Sequence, residues 1–182
     1  MSDSPKLFHR KATPEDLPEL RALMEISIRK IVGTFLDPAR LEASYEFMGV
    51  DTQLIKDQTY FVIELEQKIV GCGGWSRRAT SYGGDHTTGR DSRLLDPVAE
   101  AARARAMYTH PDFTRRGIGR LVLALSETEA ATEGFHSLEL TATVAGELLY
   151  AAYGFSVIER IEVHLNRNYG AMCAYDKKNY NI

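Results

Sequence analysis

The sequence is poor in cysteine, in long apolar runs and in any excess of one charge. Cys72 and Cys173 are its two cysteines, about a hundred residues apart and without a nearby His or Cys at metal-ligand spacing. This argues against a disulfide framework and against a zinc or other metal site, and leaves both thiols as small buried hydrophobes. No apolar stretch approaches the roughly 20 residues that a bilayer span requires, and Met1–Arg10 has neither the basic start nor the apolar run of a secretion signal. A soluble, cytoplasmic protein with no membrane partner is expected. Lys plus Arg number 22 against 25 Asp plus Glu, a formal net charge of -3, so there is no global positive field to hold nucleic acid. No repeat or low-complexity tract is visible. With 182 residues, 44 % of them hydrophobic, residues 1–182 read as one domain with a full core.

Strand and helix patterns interleave along this chain. Leu7–Ala12 reads as a strand, and Thr13-Pro14-Glu15-Asp16 supplies a cap, a first-turn proline and acids for a helix to about Ile31. Leu17, Leu20, Leu23, Met24 and Ile28 form its buried stripe. Asp37-Pro38 opens a second helix that Gly49 ends. Thr59–Leu65 and Ile69–Trp75 flank a short polar turn and predict a β-hairpin. Gly71, Gly73 and Gly74 inside the second strand imply that another element or a ligand packs closely on that backbone. Residues 76–101 form a polar, glycine-containing insertion of the kind that often borders a site. Asp96–Tyr108 fits two readings: its cap, proline and alanines favour a helix, while Ala102, Ala104, Ala106 and Tyr108 alternate with Arg103, Arg105 and Met107 as in a strand. Gly117–Glu133 is an amphipathic helix, Ser137–Thr143 a strand, Val144–Ala152 a brief helix closed by Gly154, and two further strands follow around Ile161–Leu165 and Gly170–Tyr175. An α/β or α+β sheet with helices on its faces is the expected class.

The segment that carries chemistry is Met107–Leu125. It reads as a possible strand, a His-Pro-Asp turn, a basic glycine-rich loop and the start of a helix. The first N–H groups of a helix have no internal partners and carry the positive end of its dipole, so a phosphate there accepts several hydrogen bonds at once. Gly117 and Gly119 permit close approach of the backbone, and Arg115, Arg116 and Arg120 add charge. An ordinary tight turn with solvated arginines fits the same spacing. Neither a Walker-type G-x-x-x-x-G-K-S/T nor a dinucleotide G-x-G-x-x-G is present.

The run His110–Arg120 resembles the acetyl-CoA pyrophosphate loop of the GCN5-related N-acetyltransferase (GNAT) superfamily, Gln/Arg-x-x-Gly-x-Gly/Ala. Leu149-Tyr150-Ala151-Ala152-Tyr153-Gly154-Phe155 resembles its later motif, a helical tyrosine followed by Gly-Phe. The first loop position, Gln or Arg in the family, is Thr114 here. The resemblance covers nearly the whole chain and implies the acyl-CoA N-acyltransferase fold: a central mixed, mostly antiparallel sheet of about seven strands flanked by helices. It resolves Ala102–Tyr108 as a strand that splays from Ser137–Thr143, with an acyl-thioester in the gap. By the same resemblance Met107, Tyr108 and Thr109 hold the pantetheine arm, and Thr114, Arg115, Arg116, Gly117, Ile118, Gly119 and Arg120 hold the diphosphate.

The activity implied is acetyl transfer from acetyl-CoA to a primary amine of a small molecule or a protein, by direct attack in a ternary complex. It needs a neutral nucleophile, an oxyanion donor and a proton for the departing thiolate. A thiol of pKa about 8.5 takes a proton from a phenol of about 10 at modest cost, which makes Tyr150 the candidate general acid. Glu100, at the start of the strand leading to the site, is the candidate general base, with a chain of waters as the other route. His110 fits a turn-stabilising role, and His86 and Asp85 belong to the solvated insertion. Tyr45, Phe47, Trp75, Arg77 and Arg78 are candidates for acceptor recognition. Two other functions stay open: a catalytically silent acetyl-CoA sensor or scaffold of the same fold, and a nucleotide-binding protein using the same helix start. C-terminal strands in such folds often pair between subunits, which points to a homodimer.

Overall fold

A computed structural model describes residues 6–165 and 168–179, with side chains described through residue 160. Its strands are β1 (Phe8–Lys11), β2 (Tyr60–Leu65), β3 (Lys68–Ser76), β4 (Ala102–Thr109), β5 (Ser137–Thr143), β6 (Ser156–Leu165) and β7 (Asn168–Asn179). Its helices are α1 (Leu17–Lys30), α2 (Pro38–Ser44), α3 (Thr52–Lys56), α4 (Ile118–Thr132) and α5 (Glu147–Tyr153). The strands form one sheet in the order β1-β2-β3-β4-β5-β7-β6. Every pair is antiparallel except β4 with β5. This is the mixed, mostly antiparallel sheet flanked by helices that the sequence led us to expect. Among the described residues no helix is long and apolar enough to cross a membrane.

Two cores sandwich the sheet. On one face the predicted stripe of α1, Leu20, Leu23, Met24 and Ile28, packs with Leu54 and Ile55 of α3 against Tyr60, Val62, Cys72 and Tyr108. On the other, Leu123 and Ala130 of α4 pack with Trp75, Ala102, Ala104, Phe135 and Leu138. The Cys72 thiol is buried in the first core, and burial pushes its pKa up to about 12, so it behaves as a small hydrophobe. Cys173 lies outside the residues whose side chains are described.

The alanine-rich segment is a strand because the sheet buries it: Ala102 and Ala104 are fully covered, which offsets the weak helix preference of a few alanines. Its alternation breaks once. Cys72 pairs with Tyr108 and Gly74 with Arg105, so two steps along β3 match three along β4. The extra residue is accommodated at Ala106, which adopts a left-handed φ of 49°. The expected common face of Ala102, Ala104, Ala106 and Tyr108 is therefore split: the first two belong to the α4 core, the last two to the α1 core.

The second helix is shorter than expected and stops at Ser44, where tighter turn bonds from Glu46 N to Ala43 O and from Phe47 N to Ser44 O swing Phe47 inward. The unanticipated α3 is capped by Asp51, whose carboxylate accepts from Gln53 N. The close-packed glycines face protein. A β-carbon on Gly71 would lie 2.2 Å from Ile118 Cγ2, and one on Gly74 would lie 2.1 Å from the Thr59 carbonyl oxygen. Backbone cannot yield as a side chain does. Gly74→Ala is expected to destabilise the fold by about 2 kcal/mol or more, read as a lower urea midpoint at unchanged slope; an unaltered midpoint would refute this packing.

Candidate active site

β4 and β5 pair only from Ala102↔Leu138 to Ala104↔Leu140. Beyond this they part, and the edge of β4 that faces β5 has no strand on it. The splay opens a cleft. Ala104–Tyr108 and Leu140–Thr143 form its two sides, Tyr150 stands on one of its walls, and Phe47–Gly49 with Ser81–Gly83 form another. Among the described lining residues there is no carboxylate and no imidazole; the single charged one is Arg105.

Tyr150 reaches this cleft through a short series of close contacts. Gly119 lets Leu149 seat on the first turn of α4, since a β-carbon there would lie 2.5 Å from Leu149 Cδ2. Gly146 leaves room for the Tyr150 ring, which a β-carbon would meet at 2.4 Å. At the far end of α5, Phe155 N donates to the Tyr150 carbonyl and its ring stands edge-on to Tyr150 at 6.1 Å between centroids. The Gly154-Phe155 motif thus fixes the tyrosine from behind. The Tyr150 hydroxyl lies 3.9 Å from Met107 Sδ, and burial alone pushes the phenol up to about 12.

The turn before α4 is exposed from Thr114 to Gly117, and Ile118 is buried beneath it against Gly71. Gly117 takes a left-handed φ of 84° as the cap of α4, and Arg115 a φ of 62°. The helix start therefore presents its N–H groups outward under three arginines. Arg116 lies over the Phe113 ring, and Arg120 spans to the Ala152 carbonyl. Thr114 turns its hydroxyl to the Pro111 carbonyl at 3.3 Å. His110 accepts from Asp112 N, the turn-stabilising role expected of it. Met107 and Tyr108 lie in the cleft; Thr109 follows them at the end of β4.

Other predicted site residues lie elsewhere. Glu100 does not approach Tyr150. Its carboxylate accepts two bonds from Arg93, at 2.9 and 2.6 Å, and one from Asp96 N, and the Arg93 guanidinium holds its pKa at about 2. A carboxylate so held is a poor proton acceptor. Trp75 is fully buried, its indole N–H donating to Glu129 and its ring edge-on to Phe135. Arg77 is paired with Glu133 and Arg78 with Asp57, both outside the cleft. Tyr45 gives its carbonyl to the His86 ring and its hydroxyl to Glu25. Phe47 alone of the five acceptor candidates lines the cleft. The sequence reading missed Arg105, Gly146 and the Ala106 bulge; a glycine four residues before the motif tyrosine was the one available signal.

A family model for the acetyltransferase (GNAT) domain matches residues 56–157. The chain belongs to that family of N-acetyltransferases. No curated protein matches. Among solved structures, a GCN5-related N-acetyltransferase from Rhodopseudomonas palustris is 19% identical over 98% of this chain and 97% of its own, with a TM-score of 0.70. PaiA N-acetyltransferase from Thermoplasma acidophilum, in complex with coenzyme A, is 14% identical over 96% and 99%, with a TM-score of 0.63. YncA from Salmonella typhimurium, with acetyl-CoA, is 18% identical over 95% and 93%, with a TM-score of 0.59. Among the described residues no cluster of His, Cys, Asp and Glu is placed to hold a metal.

A phenol with its pKa near 12 stays protonated well beyond the usual range. Between about pH 9 and about pH 11 the wild-type protein and Tyr150→Phe are expected to gain equal phenolate absorbance at 295 nm. A surplus in the wild type, centred near 10, would place Tyr150 in an open, water-like setting.

Proposed function

We propose that the protein transfers an acetyl group from acetyl-CoA to a primary amine, with Tyr150 supplying the proton to the departing sulfur. The observation that carries this is an unpaired strand edge and a half-buried phenol in one cleft, with the outward-facing start of α4 and its arginines packed beside the phenol's helix through Gly119 and Leu149. These fit acetyl-CoA: a flexible amide-bearing arm suits the free edge of β4, and a diphosphate suits the N–H groups of residues 116–120. The Thr114–Arg120 turn binds the diphosphate; Met107, Tyr108 and Thr109 orient the arm. When bound, acetyl-CoA supplies an activated acyl carbon and a thiolate leaving group.

This chain's part follows from its charges. A β4 amide within the bulged stretch donates to the thioester carbonyl oxygen, where negative charge grows as the amine attacks. Water at the open mouth of the cleft takes the proton lost by the amine. As the C–S bond breaks, Tyr150 gives its proton to sulfur and recovers one from solvent. The phenol is protonated at neutral pH, so the group stands loaded before each turnover; burial raises its pKa and makes it a weaker acid, which the negative charge growing on sulfur in the same cleft offsets.

The test is release of free thiol from acetyl-CoA over a panel of primary amines, with the amine-free background subtracted, beside thermal unfolding with acetyl-CoA, CoA and ATP. Amine-dependent release together with stabilisation by the two coenzyme forms is expected. Stabilisation without release by any amine would point to a binding module. Tyr150→Phe should lower kcat by about 100-fold or more while acetyl-CoA affinity holds; an undiminished kcat removes the phenol from the reaction.

A further inference from the structure

The insertion of residues 76–101 is folded onto the cleft by one guanidinium. Arg105 stands on β4 immediately before the bulge and is 3 % exposed. Its Nη1 donates to the Thr80 carbonyl at 2.8 Å, and its Nη2 donates to the Gly83 carbonyl at 2.7 Å and to Asp51 Oδ2 at 2.9 Å. The same Asp51 oxygen accepts from Arg90 Nη1 at 2.8 Å, while its other oxygen caps α3. Outside this triad, Asp85 N donates to the Val50 carbonyl, Thr52 donates to the Asp85 carboxylate, and Thr87 donates to the Glu46 carbonyl. The insertion and the α2–α3 connection are thereby stitched together, and their inner residues form one wall of the cleft.

We infer that the Arg105–Asp51–Arg90 triad is a clamp that builds the wall against which the amine acceptor is selected, and that Arg105 and Arg90 are positioning residues for that substrate. This rests on the acetyltransferase reading above. The clamp acts on the α1 side of the sheet. The turn assigned to the diphosphate is carried by α4 on the opposite side, and its described contacts are with β3, α5 and the Pro111–Phe113 turn before it, none of them with the insertion. Loosening the clamp at its outer anchor therefore displaces Phe47–Gly49 and Ser81–Gly83 while leaving the diphosphate turn in place. Buried charge directs the choice of variants. Removing Asp51 strands two cations in the interior, which the fold tolerates poorly. Removing Arg90, the more exposed partner, leaves the balanced pair Asp51–Arg105, so the protein keeps its core and loses the outer anchor of the insertion.

With the best amine of the panel, Arg90→Gln is expected to raise the amine KM about 5-fold or more, with kcat and acetyl-CoA KM within about twofold of wild type. Arg90→Lys, which keeps the charge, should recover most of the loss. Hydrogen exchange without substrate should quicken in residues 47–52 and 80–92 of Arg90→Gln and stay unchanged in 114–123. Arg105→Lys, which keeps one donor group of the fork, should give the same pattern more strongly. An unchanged amine KM, an equal rise in both KM values, or exchange that quickens evenly through the chain overturns the clamp. A wild type that acetylates no amine overturns the acetyltransferase reading instead, and the acceptor role with it.

Discussion

Ala106 holds a left-handed backbone inside a strand, a conformation that costs a residue with a β-carbon about 1–2 kcal/mol. What restrains it is the Tyr60 hydroxyl, buried between Cys72 and β4, which donates to the Ala106 carbonyl at 2.6 Å. One net hydrogen bond contributes about 0.5–1.5 kcal/mol, the same order as the strain it opposes. The balance therefore depends on the packing of Tyr60 and Tyr108 in the α1 core. Tyr108 adds a second tie, since its hydroxyl accepts from Gly49 N at 3.0 Å and so fixes the acceptor wall from the same strand.

From that one extra residue the site's geometry unfolds. β5 keeps step with β4 through Ala104 and no further. The strand edge left uncovered is the natural place for an extended ligand, because its N–H and C=O groups need partners and a second chain of amides supplies them. Tyr150 then stands at the mouth of this gap on a helix whose two ends are pinned, by Leu149 on Gly119 and by Phe155 behind the ring. A proton donor on a pinned helix keeps its aim better than one on a loop. The same placement that pins it also raises its pKa by burial.

Much of the fold was legible because it is written in local periodicity. The α1 stripe, the β2–β3 hairpin, α4 and the Tyr150 motif appear where residue spacing places them. The alanine strand was not legible from its own residues: small side chains suit helix and buried strand alike, and only the sheet around them decides. The bulge was hidden for a different reason. Alternation is preserved in the letters of Ala102–Tyr108 while the backbone departs from it at Ala106. Arg77, Arg78 and Trp75 look like site residues because they border a glycine-rich strand, yet their partners Glu133, Asp57 and Glu129 come from elements distant in sequence. An ion pair across 56 or 21 positions leaves no local trace.

Arg105 shows how the two halves of the site are joined. It follows Ala104, which packs toward α4, and so faces the α1 side already ahead of the bulge. With the extra residue in place, Arg105, Ala106 and Tyr108 all lie on the α1 side, where Asp51 and the carbonyls of the insertion converge on the guanidinium. The bulge that parts the strands for a thioester therefore also sets Tyr108 on the side of Arg105, where its hydroxyl meets Gly49 N of the facing wall. A chain that lost the bulge would keep Arg105 on the side of Asp51 but would turn Tyr108 toward α4 and away from Gly49, and would bring Met107 to the α1 side. The polar insertion, with few apolar contacts of its own, is held over the site by the charges of Arg105, Asp51 and Arg90, next to the strand that Tyr108 ties to the same wall.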